Sequence, residues 1–195
     1  HFLYNTLDSI IWMAEGRKYE EVVLMTASLA RLLRQSISNE DEVVPLAREV
    51  EYAKGYLTIQ KMRYKDKLEF EIDVEPSILN IPLIKLVLQP IIENAIYHGL
   101  KYKESKGLLQ VKGFMKDGNA VLQVIDNGVG MDEETLSHIY DKHKVNYHSN
   151  GVGVYNVQKR LKLYYGENYG ITYESEKGVG TTATITIPGI QEESI

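Results

Sequence analysis

Residues 91–100 read IIENAIYHGL. Glu93, Asn94 and His98 interrupt an otherwise aliphatic helix within about one turn of each other. With Tyr97 they form one contiguous polar patch at helical spacing. A buried polar group costs free energy unless it is satisfied. The patch is therefore either a hydrogen-bonded cluster in the core or a place where something binds. The amide oxygen of Asn94 is a neutral, hard donor suited to Mg²⁺, an ion that keeps most of its waters and also takes substrate phosphates. On its N-terminal side the helix is expected to start near Ile81, with Pro82 in its first turn, where a missing N–H costs little. Pro90 falls inside that span and is expected to remove a backbone bond and kink it.

Two regions of different character flank this helix. Residues 1 to about 66 are helical in pattern, with no strand pattern among them. Leu3, Leu7, Ile10, Ile11 and Ala14 recur at three- and four-residue steps, Gly16-Arg17-Lys18 is a break, and Val22, Met25, Leu29, Leu32 and Leu33 form a second stripe. After the polar SNEDEVVP a third helix carries Leu46, Val50, Ala53, Leu57 and Gln60. From Leu68 the period changes to two: LEFEIDVEP alternates apolar residues with acids and ends at Pro76. LLQVKGFM and AVLQVID, joined through Asp117-Gly118, read as a hairpin. A short helix near 132–138, a polar loop, a helix over 151–165 and two strands, GITYESE and TTATITIP, complete the chain.

Composition narrows the classes. In 195 residues, 44% hydrophobic and 25% charged, there is room for one large domain or two small ones. A net charge of −5 gives the surface as a whole no footprint for nucleic acid. With no cysteine, disulfides and thiolate metal sites are excluded. No apolar run approaches the roughly 18 residues of a spanning helix. The chain opens HFLYNTLDSI without an initiator Met and reads as a piece of something longer.

Two glycine-bearing stretches bear on function. DNGVGM (126–131) ends a strand, and Asp-Asn-Gly alone would suit a hairpin turn. The chain continues as MDEETLSHI, whose acids suit a helix start rather than a returning strand. Asp126 is thus delivered to a sheet end, where a fixed carboxylate can accept from an exocyclic amino group such as adenine's. Gly128 and Gly130 let backbone come close to a ligand. NGVGVYNVQKRL (150–161) puts Gly151 and Gly153 where a helix begins, and free N–H groups there suit phosphate oxygens. No Gly-Lys-Ser/Thr succeeds it, so it is not a Walker A loop. Gly178 and Gly180 with Thr181 would by themselves be another turn.

In this order the set resembles the ATP-binding domain of the GHKL superfamily of gyrase, Hsp90, histidine kinases and MutL. ENAIYHG resembles the N box, DNGVGM the G1 box, NGVGVYNVQKRL the G2 box, and GVGTTATITIP the terminal glycine-threonine strand. HFLYNTLDSI, EYAKGYLTIQKMRY, LQPIIENAIYHGL and GVYNVQKRLKLYYG together resemble the LytS/YesM-like group of sensor histidine kinases, over nearly the whole chain. The implied fold is α+β: a helical dimerisation and histidine phosphotransfer region (1–66), then a GHKL (Bergerat) α/β sandwich (67–190) whose mixed sheet is covered by helices on one face.

The implied cofactors are ATP and Mg²⁺. By resemblance Asn94 coordinates Mg²⁺, Asp126 holds the adenine amino group, Gly128 and Gly130 admit the nucleotide, and Gly151 and Gly153 lie at the phosphates. Thr181 supports the adenine end and His98 touches phosphate. His1 is the phosphoacceptor, with Asn5 one turn on to orient its imidazole. Glu93 joins these two as a catalytic residue. Phe2 stands where many histidine kinases carry a carboxylate, leaving open what assists deprotonation. Pro90 stands where the water-activating glutamate of gyrase-like enzymes would be, which favours transfer to histidine over hydrolysis. Residues 140–150 are expected to be a short lid, so His138, His143 and His148 are not read as a metal triad. The implied partners are a response regulator and a second copy of the chain, with no nucleic acid. The fragment is expected to be cytoplasmic, tied to the bacterial membrane only through upstream segments. The rivals are a GHKL ATPase and a non-catalytic nucleotide-binding module.

Overall fold

The apolar stripes upstream of residue 66 form α1 (Phe2–Glu15), α2 (Tyr19–Ile37) and α3 (Leu46–Tyr64) in a computed structural model that describes residues 2–37, 42–139 and 151–189. In α2 most of the stripe points inward, with Met25, Leu29 and Leu32 buried and Val22 half-buried, while Leu33 stays exposed. In α3 Leu46, Ala53, Leu57 and Gln60 are buried, joined by Glu49, Tyr56 and Ile59. Helix α1 differs. It turns Phe2, Thr6 and Met13 inward and leaves Leu3, Leu7 and Ile11 exposed. Two apolar faces compete on this helix, and the one holding Phe2 packs, its ring 5.0 Å from that of Tyr56. Thr6 is tolerated there because its hydroxyl donates to the Phe2 carbonyl at 2.8 Å.

Between the helical region and the sheet, the sequence-based expectation needs correction. Val43–Pro45 is a short strand, β1, in a region where no strand pattern was visible. The helix expected from Ile81 also starts later. After β2 (Leu68–Val74), residues Pro82–Ile84 form β3, which pairs antiparallel with β1 (Val43↔Ile84, Val44↔Leu83, Pro45↔Pro82). Strands of three residues are too short for an alternation to register. Helix α4 then runs Leu88–Asn94 and passes into a π-helical turn, Ala95–Leu100. Pro82 therefore lies in a strand. Pro90 is the third residue of α4, in the first turn, where a backbone N–H has no intrahelical acceptor. It forfeits no bond, and the expected kink does not arise.

The hairpin is as read: β4 (Gly107–Lys116) and β5 (Asn119–Asp126) join through Asp117 and Gly118, both at positive φ (51° and 77°) as a type I′ turn requires. Then come α5 (Glu133–Ser137), capped by the Asp132 carboxylate, α6 (Gly151–Tyr165), β6 (Gly170–Glu176) and β7 (Gly180–Pro188). The sheet order is β2-β4-β5-β7-β6, parallel at β2–β4 and antiparallel elsewhere. Leu109, Val111, Ala120, Leu122, Val124, Ala183, Ile185 and Ile187 line its inner face, under α4 and α6. Gln110, Gln123, Thr182 and Thr184 lie on the other, more accessible face. The core is continuous from Met13 and Met25 through α3 to the sheet, so packing crosses the change of pattern at residues 66–67.

Candidate functional site

Strand β5 carries Asp126 to its last position, opposite Leu109 on β4 and Thr181 on β7. The residue is only 6% exposed. Burial pushes its carboxyl up to about 6, against the pull of backbone N–H groups of Gly128 and Thr181 and of the Lys103 ammonium. Gly128 N donates to Oδ1 at 2.8 Å, which orients the carboxylate.

The surroundings of Asp126 explain two glycines. A Cβ on Gly99 would lie 2.7 Å from Asp126 Oδ1, and one on Gly128 would lie 2.4 Å from the Gly99 carbonyl carbon. The 126–131 loop and the π turn thus touch backbone to backbone, fastened by the Val129 N–H on the Gly99 carbonyl at 3.1 Å. A π turn widens the helix by one residue and is often found at functional sites. Here it brings Gly99 against the carboxylate. Gly130 sits at φ 63°, where a Cβ would reach 1.9 Å from the Glu176 carbonyl oxygen. The loop is held there by Gly178 N on the Val129 carbonyl (2.7 Å) and Met131 N on Ser175 Oγ (2.9 Å). Ser175 donates to the Gly180 carbonyl and lies 2.8 Å from Thr181 Oγ1, so Thr181 is fixed beside Asp126.

Five residues before Gly99 on the same helical run, about 7 Å at 1.5 Å per residue, stands Asn94. Its Oδ1 is buried with no hydrogen-bond partner among the described residues. Such an orphan is unusual in a folded protein and suits a bound ion or water. The neutral amide oxygen fits a hydrated Mg²⁺. Beside it Glu93 accepts from Gln89 Nε2 at 3.0 Å, and burial raises its carboxyl above the usual range. His98 is more open. Partial burial and the Lys101 ammonium hold its imidazole below its usual value, which leaves it neutral at pH 7.

Helix α6 starts at Gly151, and a Cβ on Gly153 would meet Pro90 Cβ at 3.4 Å. The start of α6 therefore rests on the first turn of α4. The structure brings Glu93, Asn94, His98, Asp126, Gly128, Gly130 and Thr181 to the α4 run and the strand end it covers. Gly151 and Gly153 stand at the α6 start, Gly153 against Pro90 of α4. Asn5 lies apart, half-buried on α1. His1, the 140–150 segment, His143 and His148 lie outside the described residues, and His138 comes just after α5.

Three features escaped sequence reasoning. Asn127 closes the strand end, its Oδ1 accepting from Leu108 N at 2.8 Å while its carbonyl accepts from Lys103 Nζ. The buried Tyr56 hydroxyl accepts from Gln60 Nε2 at 2.6 Å and is also hydrogen-bonded to Tyr97 on the π turn, linking α3 to the site. Glu49, fully buried on α3, accepts from three backbone N–H groups at the start of α4. Only Glu49 left a trace in sequence, as an acid at a position of the apolar stripe. Among the described residues no group of three or more His, Asp or Glu side chains is arranged to hold a metal, and no helix is long and apolar enough to cross a membrane.

The family model described as histidine kinase-, DNA gyrase B-, and HSP90-like ATPase matches residues 80–191, and the one described as histidine kinase matches residues 1–68. The sensor histidine kinase YesM of Bacillus subtilis is 35% identical over 188 residues, covering 96% of this chain and 31% of YesM. The sensor protein LytS of Oceanobacillus iheyensis is 32% identical over 173 residues, covering 86% of this chain and 29% of LytS. The chain thus spans about a third of the length of these curated relatives. Among solved structures, the catalytic domain of histidine kinase ThkA matches with a TM-score of 0.57 at 16% identity, over 76% of this chain and 99% of that one. The histidine kinase domain of the Erythrobacter litoralis EL346 blue-light activated histidine kinase matches at 0.54 and 16%, over 86% and 72%. At such identities these two speak for the fold alone.

Proposed function

The chain belongs to the histidine kinase-, DNA gyrase B- and HSP90-like ATPase family, and on that footing we propose that it is the catalytic part of a two-component sensor histidine kinase. It binds ATP with Mg²⁺, receives the γ-phosphoryl group on His1, and passes it to an aspartate of a response regulator. The observation that carries this reading is the pairing of two unusual groups along one helical run. Asn94 offers a buried, unpartnered amide oxygen, and Gly99 abuts a buried, oriented carboxylate at Asp126.

Each residue then has a task. Asp126 Oδ1 is taken up by Gly128 N, and the remaining lone pairs of the carboxylate accept the adenine amino group. Thr181 lines that end. Gly128 and Gly130 keep the loop free of side chains where the base enters. N–H groups at the start of α6, from Gly151 and Gly153, face the phosphates, aided by the helix dipole. Asn94 holds Mg²⁺, which when bound neutralises charge on the phosphates. His98, neutral at pH 7, donates a ring N–H to a phosphate oxygen. Glu93 stands beside that site, held by Gln89 Nε2.

His1, as neutral imidazole, would form an N–P bond to the γ-phosphorus through its unprotonated nitrogen as the bond from that phosphorus to the β,γ-bridging oxygen breaks and ADP leaves. Asn5, one turn on, would orient the other ring N–H. Positioning and charge stabilisation supply most of the acceleration in such transfers. Where a water-activating glutamate would stand, Pro90 packs against α6 instead and offers no base. The exposed Leu3, Leu7 and Ile11 face of α1 supports pairing with a second copy. Incubation with [γ-³²P]ATP and Mg²⁺ tests the proposal. Acid-labile, base-stable label on the chain, absent from His1→Gln and Asn94→Ala variants, is expected. Steady phosphate release without label would replace it with an ATPase.

A further inference from the structure

Helix α4 begins without a cap of its own. Its N-cap residue is Val87, whose side chain has no acceptor, and Leu86 before it is held at φ 62°, a left-handed conformation unfavourable for leucine. The acceptors come from far upstream. Glu49, in the first turn of α3 and 1% exposed, receives Leu86 N on Oε1 at 2.7 Å, and Val87 N and Leu88 N on Oε2 at 2.9 and 3.1 Å. The start of α3 is satisfied in return, Leu46 N donating to the Ile81 carbonyl (2.9 Å) and Ala47 N to the Leu79 carbonyl (2.8 Å). The β1–β3 pairing and Lys85 N on the Glu42 carbonyl (2.9 Å) lie between these two exchanges. From the other side α6 closes the same segment. Arg160 donates to the Lys85 carbonyl at 2.9 Å, and the Tyr165 hydroxyl bridges Ile84 N and the Pro82 carbonyl.

We propose that Glu49 is a positioning residue: its carboxylate clamps the start of α4 to α3 and thereby sets where Asn94, six residues along α4, presents its amide oxygen. The proposal rests on the nucleotide reading above only for what Asn94 binds. Helix α4 is short, two turns before the π turn, and its far end is fixed by the contact of Gly99 with Asp126. Its near end is fixed by the three Glu49 bonds and by the α6 contacts. Release of the first lets α4 pivot about the Gly99 contact, which moves Asn94 and leaves the Asp126 end in place. Because α3 packs along α2, a displacement of the helical region is passed to the start of α4 through this carboxylate.

Two substitutions test this. Glu49→Ala removes both acceptor oxygens and with them all three bonds, while Glu49→Gln keeps one amide oxygen and turns an NH₂ toward donors. The first measurement is nucleotide affinity, read as adenosine alone and as ATP with and without Mg²⁺. The gain in ATP affinity from Mg²⁺ is expected to fall about tenfold in Glu49→Ala, the equivalent of one lost charged hydrogen bond, and partway in Glu49→Gln. Adenosine affinity should stay within about twofold. The second needs no nucleotide. The Asn94 side-chain amide resonances should shift in both variants, and the Val87 and Leu88 amides should exchange faster, with Gly99 and Gly128 unmoved.

An unchanged Mg²⁺ gain together with unmoved Asn94 resonances would overturn the proposal. So would parallel loss of adenosine affinity, Mg²⁺ gain and native chemical shifts, which would make Glu49 simply structural. If the unmodified protein itself shows no Mg²⁺ gain, the nucleotide reading fails while the resonance measurement still decides the positioning claim.

Discussion

Gly99→Ala adds one methyl group where the structure has no room for it. Its Cβ would stand 2.7 Å from Asp126 Oδ1, 3.0 Å from Cγ and 3.2 Å from Oδ2. Three effects compete. Alanine is favoured over glycine in a helix by about 1 kcal/mol. Forcing an extra carbon into a packed site costs about 1–3 kcal/mol. Turning the carboxylate away breaks the 2.8 Å bond from Gly128 N, and a hydrogen bond to a charged group contributes about 1.5–3 kcal/mol. The costs exceed the gain, for a net loss on the order of 3 kcal/mol of stability. Asp126 cannot relax toward the 126–131 loop, because Gly128 and Gly99 already touch. Urea unfolding measures the stability. Adenosine, which carries neither phosphate nor metal, reads the Asp126 end alone, and its affinity should fall about tenfold or more. A variant that is more stable by about 1 kcal/mol, with adenosine affinity unchanged, would refute the reasoning, since it would mean helix propensity outweighs the interlock.

Asn94→Ala should abolish the Mg²⁺ dependence of ATP binding while costing about 1 kcal/mol or less of stability, because Oδ1 has no hydrogen bond to lose among the described residues; calorimetric binding and urea unfolding check the two halves. The Asp126 carboxyl is raised from 3.8 to about 6 in the folded chain, so the native state binds the extra proton. Its contribution is fully present below pH 3.8 and lost as pH rises through 6, on the order of 3 kcal/mol over that window. Asp126→Asn should therefore gain stability relative to the unmodified chain between pH 4 and 7, by up to that amount. Equal pH profiles for the two would contradict this. Pro90→Ala should change stability by less than about 1 kcal/mol, since no backbone bond is regained in the first turn of α4; a larger gain would restore the kink. Leu7→Glu with Ile11→Glu, both on the exposed face of α1, should give monomers in sedimentation with unchanged circular dichroism, whereas loss of helix would place that face inside the fold.

Much of this architecture is legible in sequence because its patterns are long. The alternation of 68–74, the Asp117-Gly118 hairpin and the helix of 151–165 each extend over enough residues for period and punctuation to agree. Where the pattern is short the sequence misleads. Val43–Pro45 and Pro82–Ile84 are three-residue strands far apart in the chain, and the apolar residues of 81–88 merge with those of α4 into one apparent helix. The face of α1 could not be chosen from sequence, since Leu3, Leu7 and Ile11 are as apolar as Phe2 and Met13; contact with Tyr56 decides it. Within the site, Asn94 and Asp126 stand out as polar residues at apolar positions. Glu49 and Gln60 fall on the apolar stripe of α3 without showing what they bind. Asn127 looks like an ordinary turn residue because its partners, Leu108 N and Lys103, are remote in the chain. Local sequence carries no record of such partners.

Spectroscopy with Mn²⁺ in place of Mg²⁺ addresses the placement of one nucleotide between Asn94 and Asp126 most directly. In an ¹⁵N-labelled protein carrying a non-hydrolysable ATP analogue, the paramagnetic ion should broaden the Asn94 side-chain amide beyond detection. In the diamagnetic Mg²⁺ complex, where nothing is broadened, the Gly128 amide should shift as it should with adenosine alone. Broadening of Gly128 without Asn94, or no change at either, would contradict the account.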